Sequence, residues 1–266
     1  MEIVDYVKSE KERLKKLISE SPKIPGLAIL QVGDNPASNS YIKGKIKDSE
    51  EVGIKADLFK FPVEVEETEI LNTILRLNDD KNYDGILLQL PIPKHLNEQK
   101  LVNAINPKKD VDGFTLGSHF TPCTPKGIID YLTDMKFPFE GKNAVVIGRS
   151  NIVGKPLAKL LLQKNMNVTV LHSKTKEEDK RFYAAHADLL VSAVGHINII
   201  DHTYTLKPSA VLIDVGINRD ENNKLIGDME RNLPVSFQSP VPKGVGLLTR
   251  LALLKNLWEA TLWTSK

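Results

Sequence analysis

Cysteine is almost missing: Cys123 is the single one among 266 residues. No intramolecular disulfide can staple such a chain, which excludes a disulfide-framed miniprotein. A signal-peptide core is also missing, because the opening MEIVDYVKSEKERLKKLISES spreads charges through its apolar positions. A reducing, cytosolic compartment is the expectation. No apolar run approaches the ~20 residues that span a bilayer. The longest runs, within 85–88 and 188–194, have the length of buried strands, so no membrane association is expected. Net charge is slight, with 36 Lys and Arg against 34 Asp and Glu leaving +2, too weak a field to indicate nucleic acid. There is no internal repeat and no low-complexity segment. With 41% hydrophobic and 26% charged residues, disorder is excluded and two domains can each bury a core. A small-molecule partner and no metal site are expected.

Ile3, Val4, Val7, Leu14, Leu17 and Ile18 recur at helical spacing until Ser21-Pro22, which predicts an amphipathic opening helix. Strands are predicted at 27–32, 54–61 and 85–90, with helices at 38–52 and 67–77 between them. Strand and helix alternate with crossovers long enough for parallel pairing, so the fold class is α/β, starting with a small α/β domain. The stretch 106–125, rich in Gly and Pro, reads as a loop and linker, with a boundary near residue 118. Beyond it, strands at 143–147, 168–171, 188–194 and 211–215 and a helix at 154–163 read as a doubly wound, Rossmann-type sheet. The expected domains are therefore 1–118 and 119–245. The last segment, 246–266, with Leu251, Leu254, Leu257, Trp258 and Leu262, is expected to form an amphipathic helix folding back on the first domain.

The turn Gly148-Arg149-Ser150-Asn151-Ile152-Val153-Gly154 follows the strand NAVVI and opens the helix KPLAKLLLQ. Glycine permits the tight turn there, and the N–H groups and dipole of a helix start favour a pyrophosphate. The pattern is not G-x-G-x-x-G, and an ordinary glycine-bearing turn is its other reading. An NAD-selective Rossmann domain carries Asp or Glu at the end of its second strand to bind the ribose 2′-OH. Here that place holds His172-Ser173-Lys174. Arg149, Ser173 and Lys174 offer charge and donors to a 2′-phosphate and nothing acidic repels it, which favours NADP. Solvated surface charges are the alternative for Arg149 and Lys174.

Ser38, Tyr41 and Lys45 stand at i, i+3 and i+7 and share one helix face. A Tyr/Lys pair so arranged can do acid/base work. It can also be a half-buried tyrosine beside a snorkelling lysine. The Y-x-x-x-K spacing is similar to that of short-chain dehydrogenases, where it follows the dinucleotide turn; here it precedes that turn, so that family fits poorly. The strand DGILLQLPIP places Gln89 before prolines that stop pairing, at the carboxyl edge of a parallel sheet where ligands bind. Lys109-Asp110-Val111-Asp112-Gly113 then puts two carboxylates on a turn, and either aspartate could be a turn cap.

Together these pieces resemble the bifunctional methylenetetrahydrofolate dehydrogenase/methenyltetrahydrofolate cyclohydrolase family over nearly the whole chain. The resemblance is carried by SNSYIKGKIKDSEEVGI, DGILLQLPIPKHL, NPKKDVDGF, TPCTPKGIIDYL, GKNAVVIGRSNIVGKPLAKLL, VTVLHSKT, ADLLVSAVG, VLIDVGIN and PVPKGVGLLT, in the family's order. It implies oxidation of 5,10-methylenetetrahydrofolate with NADP and hydrolysis of the methenyl product to 10-formyltetrahydrofolate. It further implies a homodimer, tetrahydrofolate derivatives as partners, Lys45 as catalytic lysine and Tyr41 packing on the folate with Ser38 nearby. By the same resemblance Gln89 partners the lysine and Asp112 grips the pterin. Gly148, Arg149, Ser150, Gly154, Ser173, Gly195 and Ile217 match the family's cofactor contacts.

Two departures stand out. The family usually has P-V-P-G-G-V-G-P-M-T, whereas here Lys243 replaces the first glycine and Leu247-Leu248 replace Pro-Met; the connection 114–121 is also shorter than typical. A dehydrogenase-only member or a catalytically impaired NADP-binding protein is the alternative these departures leave. A shikimate- or amino-acid-type dehydrogenase would share the two-domain plan but gives no reason for Gln89-Leu90-Pro91 or Asp110-Val111-Asp112-Gly113. Cys123 is expected to be a small buried filler.

Overall fold

The computed structural model describes residues 2–264. Contacts divide the chain into two units. One, the N-terminal unit, comprises Val7–Cys123 and the chain from Arg250 onward; the other, the central unit, comprises residues up to Tyr6 and Thr124–Thr249. Three details differ from the expected 1–118 and 119–245, one being that the central unit runs on to Thr249. The units part after Cys123, and the first residues group with the central unit, where Tyr6 lies 5.4 Å from Tyr131, ring centroid to centroid.

In the N-terminal unit, β1 (Gly26–Val32) is flanked by β2 (Lys55–Phe61) and β3 (Gly85–Leu88) in an all-parallel sheet of order β2-β1-β3. Side chains alternate across a strand, so a strand covered on both faces is apolar throughout. Leu27, Ile29 and Leu87 accordingly pack with Leu14 and Ile18 of α1 (Ile3–Ser19) and Ile42 and Val52 of α2 (Pro36–Val52). Ala28, Leu30, Ile86 and Leu88 pack on the other face with Ile70, Ile74 and Leu77 of α3 (Glu67–Asp79) and Leu101 and Val102 of α4 (Glu98–Asn103). Val4 and Leu17, expected on the apolar stripe of α1, are exposed instead.

The central unit resumes at Thr124 in α5 (Cys123–Asp134), whose first three residues fall in the stretch expected to be loop. Its proline, Pro125, falls in the first turn, where no intrahelical N–H is lost. The sheet runs β10-β7-β6-β4-β5, all parallel, from β4 (Asn143–Ile147), β5 (Asn167–Leu171), β6 (Leu189–Ser192), β7 (Val211–Asp214) and β10 (Phe237–Gln238). Ala144, Val146, Val191 and Ile213 face α5 and α6 (Gly154–Gln163), and Val145, Ile147, Leu190 and Leu212 face the layer holding Ala184 of α7 (Glu177–His186). A short antiparallel pair, β8 (Asn218–Arg219) and β9 (Leu225–Ile226), follows β7. Because β5 and β6 lie on opposite sides of β4, the order reverses there, which places a crevice at the carboxyl ends of β4 and β6.

The last helix, α8 (Val245–Thr264), packs back on the N-terminal unit: Ala252, Leu253, Leu254, Leu257 and Ala260 join the core that holds Leu27 and Ile29. The expectation of an amphipathic helix is corrected here. Leu251 through Leu254 are consecutive and all buried, so the helix is covered around most of its circumference and its apolar residues need no single stripe.

Before α8, Lys243 adopts φ 72°, the left-handed region that side chains with a Cβ disfavour by ~1–2 kcal/mol. Its side chain is exposed. Lys243→Gly is expected to stabilise the fold by ~0.5–1 kcal/mol after glycine's own entropy cost. Thermal unfolding should rise by about 1–3 °C, and no rise, or a fall, would show that lysine's backbone is at ease there.

Candidate functional site

Helix α2 begins where Asn35 Oδ1 accepts the N–H groups of Ala37 (2.9 Å) and Ser38 (3.2 Å), with Pro36 already suited to the first turn. That start sets the face carrying Ser38, Tyr41 and Lys45. Ser38 and Lys45 are buried and Tyr41 is half-buried. Burial raises the Tyr41 phenol above its ordinary pKa, with nearby Arg250 opposing.

Gln89 follows β3 directly, and its backbone N–H still bonds Leu30 O at 2.8 Å. Its side-chain Nε2 donates to Leu90 O (2.8 Å), which turns Oε1 toward Lys45 Nζ, the donor at 3.2 Å. The 109–112 segment lies beside β3: Ile86 N–H donates to Lys109 O at 2.8 Å. Gly85 makes this approach possible, since a Cβ there would sit 2.7 Å from Leu257 Cδ1 and 2.8 Å from Val111 Cγ1. Val111 is thus locked into the core, and Asp112 comes to 3.8 Å from Lys45 Nζ. Lysine, amide and carboxylate meet in a nearly buried cluster, with the Lys45 and Asp112 side chains only 8% and 12% exposed.

The two aspartates of the turn do different things. Asp110 accepts from Thr115 N (2.7 Å), Thr115 Oγ1 (2.9 Å) and Gly113 N (3.1 Å), so it is the turn cap. Burial raises its carboxyl pKa, with the bonds from Thr115 and Ser118 opposing. Lys109 is equally structural: Nζ donates to Leu77 O (2.9 Å) and Asp80 O (2.8 Å), closing the carboxyl end of α3, and burial lowers its pKa.

Sequence reasoning missed Asn256 of α8. It is fully buried and donates through Nδ2 to Val111 O (2.9 Å) and Thr121 O (3.2 Å), fixing the segment that carries Asp112. A polar residue amid the Leu-rich run of α8 was the signal available. Cys123 Sγ donates to the same Val111 carbonyl at 3.2 Å. Burial and the Asp112 charge push its thiol well above the usual range, which suits a filler and not a nucleophile.

In the central unit, Gly148 has φ 120°, and a Cβ would lie 2.6 Å from Ala193 O, so only glycine fits at the end of β4. Gly154 lets α6 pack on the turn, with its Cβ position only 2.2 Å from Gly148 O. The sequence left the first N–H groups of this helix free for an anion; the structure engages several of them. Ser150 Oγ accepts from Val153 N (3.1 Å) and Gly154 N (3.3 Å), and Ser150 O accepts from Lys155 N (3.0 Å). The hydroxyl proton of Ser150 stays available to donate.

Arg149, Ser173 and Lys174 are exposed, and among the described residues no hydrogen bond or ion pair engages the Arg149 guanidinium. His172 to Thr175 form a tight turn at the end of β5, and the acids Glu177, Glu178 and Asp179 begin α7 only after it. Glu177 is already tied to Lys180 (2.7 Å) and Tyr204 (2.6 Å). Gly195, with φ 67° and open space where a Cβ would stand, and exposed Ile217 flank the carboxyl ends of β6 and β7. A glycine cradle, exposed cationic donors and no acid at the 2′ position fit a phosphorylated dinucleotide.

A family model described as tetrahydrofolate dehydrogenase/cyclohydrolase, catalytic domain, matches residues 2–112, and its NAD(P)-binding domain counterpart matches residues 122–264. The chain is 45% identical to the bifunctional protein FolD of Listeria innocua, covering 97% of this chain and 96% of that one. Its structure is similar to that of the bifunctional FolD methylenetetrahydrofolate dehydrogenase/cyclohydrolase of Campylobacter jejuni, with TM-score 0.92, 38% identity and 97% and 96% of the two chains covered. It is also similar to the Trypanosoma brucei methylenetetrahydrofolate dehydrogenase-cyclohydrolase, solved with NADP and an inhibitor, with TM-score 0.94, 26% identity and 100% and 98% covered.

Proposed function

From the chain's membership of the tetrahydrofolate dehydrogenase/cyclohydrolase family, we propose that it oxidises 5,10-methylenetetrahydrofolate with NADP and hydrolyses the methenyl product to 10-formyltetrahydrofolate. The observation that carries this reading is Lys45 Nζ, set between Gln89 Oε1 at 3.2 Å and Asp112 at 3.8 Å. NADP, when bound, takes up the hydride.

The remaining chemistry falls to side chains. Asp112 has two oxygens for the ring N–H and neighbouring amino group of a pterin edge, parallel donors that a carboxylate accepts together. Tyr41 offers a half-buried ring to pack on the folate, and Ser38 a hydroxyl one turn before it. Hydride departure leaves a cation delocalised over two nitrogens and removes no proton, so alignment is what it requires. Water attack on that cation does release a proton, and Lys45 Nζ, oriented by Gln89, manages it.

Arg149 and Ser173 are the proposed 2′-phosphate contacts. Arg149→Ala should raise the KM for NADP about tenfold or more, the loss of one charge-assisted contact, and change the KM for NAD little. Steady-state kinetics with each cofactor check this, and equal losses with both would count against the assignment.

The proposed compartment is the reducing cytosol, supported by the lone buried thiol of Cys123. Among the described residues no helix is long and apolar enough to cross a membrane. A homodimer is the proposed assembly: β5 is an unpaired edge of the central sheet, and Val170 on it and Phe182 on α7 expose apolar surface.

A further inference from the structure

Asp228 lies outside every motif that marked the cofactor site, yet its carboxylate is completely buried at the carboxyl end of the central sheet. Oδ2 accepts from Ser192 Oγ (2.9 Å), Val194 N (2.9 Å) and Gly195 N (3.2 Å). Oδ1 accepts from His196 N (2.9 Å) and Asn218 Nδ2 (3.0 Å). Three successive backbone N–H groups converge as they do in an anion-binding nest, and here the anion is the chain's own side chain. The loop after β6 and the loop after β7 are thereby tied to one group.

The approach is built into the neighbouring sequence. A Cβ at Gly216 would lie 2.0 Å from Asp228 Oδ1, so glycine is needed beside it. Asp214, the last residue of β7, accepts the backbone N–H groups of Asp228 (2.9 Å), Met229 (2.8 Å) and Gly216 (3.0 Å). One buried carboxylate thus holds the backbone of the other. Burial, with the Asp228 charge adding to it, pushes the Asp214 carboxyl up to about 6.

We infer that Asp228 is a positioning residue for NADP, fixing the 194–196 and 216–218 loops so that Gly195 and Ile217 meet the cofactor. This rests on the cofactor reading proposed above. The carboxylate itself is spent on five donors and faces no ligand. Its replacement by an amide sets an N–H against at least one backbone N–H, freeing part of the loop after β6 while keeping side-chain volume.

The test is Asp228→Asn, with Asn218→Ala as a milder variant that cuts a single arm of the clamp. NADP binding is measured by titration calorimetry, and NADPH formation and cofactor-free methenyl hydrolysis are measured on the same preparations. For Asp228→Asn the Kd and KM for NADP should rise about tenfold or more, and for Asn218→Ala about threefold. The KM for methylenetetrahydrofolate and the hydrolysis rate should stay within about twofold, which general unfolding would not allow. Unchanged NADP binding in the folded variants overturns the positioning role and leaves the cofactor reading intact; a parallel fall of both activities overturns it in favour of a structural role. If Asp228→Asn does not fold, Asn218→Ala decides by the same criteria. Failure of the unsubstituted protein to bind NADP overturns the cofactor reading and this inference with it.

Discussion

Lys45→Met should abolish methenyl hydrolysis, by ~10²–10⁴-fold or more, while measurable NADPH formation survives. Methionine keeps the length and apolar stem of lysine and fills the same nearly buried space. What it lacks is a nitrogen that can exchange a proton. Water attack on the methenyl carbon creates an oxygen that must lose its proton, and Lys45 carries the amine on the α2 face it shares with Ser38 and Tyr41, where burial disfavours the phenolate of Tyr41. Gln89 cannot substitute, since an amide neither takes nor gives a proton near neutral pH. Hydride transfer asks for no base, so a folate still held by Asp112 and Tyr41 keeps part of that rate. Both activities are read on one purified, folded sample. Hydrolysis unchanged above the buffer rate would remove Lys45 from the chemistry, and equal loss of both activities would recast it as a positioning residue.

Asp112→Asn should damage both reactions, because both need the same pterin. One carboxylate oxygen becomes an N–H facing a ligand donor, so an attraction is exchanged for a repulsion in a nearly dry site. A lost charge-assisted pair is worth ~1.5–3 kcal/mol, and KM for the folate substrates should rise about 10- to 100-fold in each assay. Lys45 also loses its anionic neighbour at 3.8 Å, so the hydrolysis kcat should fall further than the oxidation kcat. Asp110→Asn is the control. Its three donors come from the turn itself, so its main expected effect is lower stability. If Asp110→Asn proves the more damaging change in both assays, the assignment of roles within the turn is wrong.

Much of this architecture was legible in the residues. The strands β1, β4, β6 and β7 are short runs of Val, Ile and Leu buried on both faces, and such runs announce parallel sheets without help from tertiary context. The helix α2 was legible from Ser38 to Val52, because spacing and the Gly53 terminator agree, while the Asn35 cap starts it two residues earlier, at Pro36. Elsewhere local sequence was ambiguous. The α7 segment EEDKRFYAAH buries only Ala184, so it carries no apolar stripe to be read. The strands β8, β9 and β10 are two residues long, below the length at which alternation has meaning. For α8 the difficulty was reversed, since a helix surrounded by protein has no polar face to define its period.

At the candidate site, spacing alone set Ser38, Tyr41 and Lys45 on one face. Spacing left open which aspartate stands beside the lysine, because Asp110 and Asp112 differ only in how the turn folds onto β3; the family resemblance singled out Asp112, which lies 3.8 Å from Lys45 Nζ. Asn256 and Asp228 escaped for a related reason. Each acts by accepting or donating to backbone atoms far away in sequence, and such partners leave no spacing signal.

The most direct measurement of the central claim is a paired assay of the unsubstituted protein. Supplied with 5,10-methylenetetrahydrofolate and NADP, it should form NADPH and accumulate 10-formyltetrahydrofolate, with the methenyl compound passing between the two and NAD serving poorly in place of NADP. Binding of NADPH with no cofactor reduction from that substrate and no methenyl hydrolysis above the buffer rate would contradict the account, leaving a nucleotide-binding protein with an inactive site.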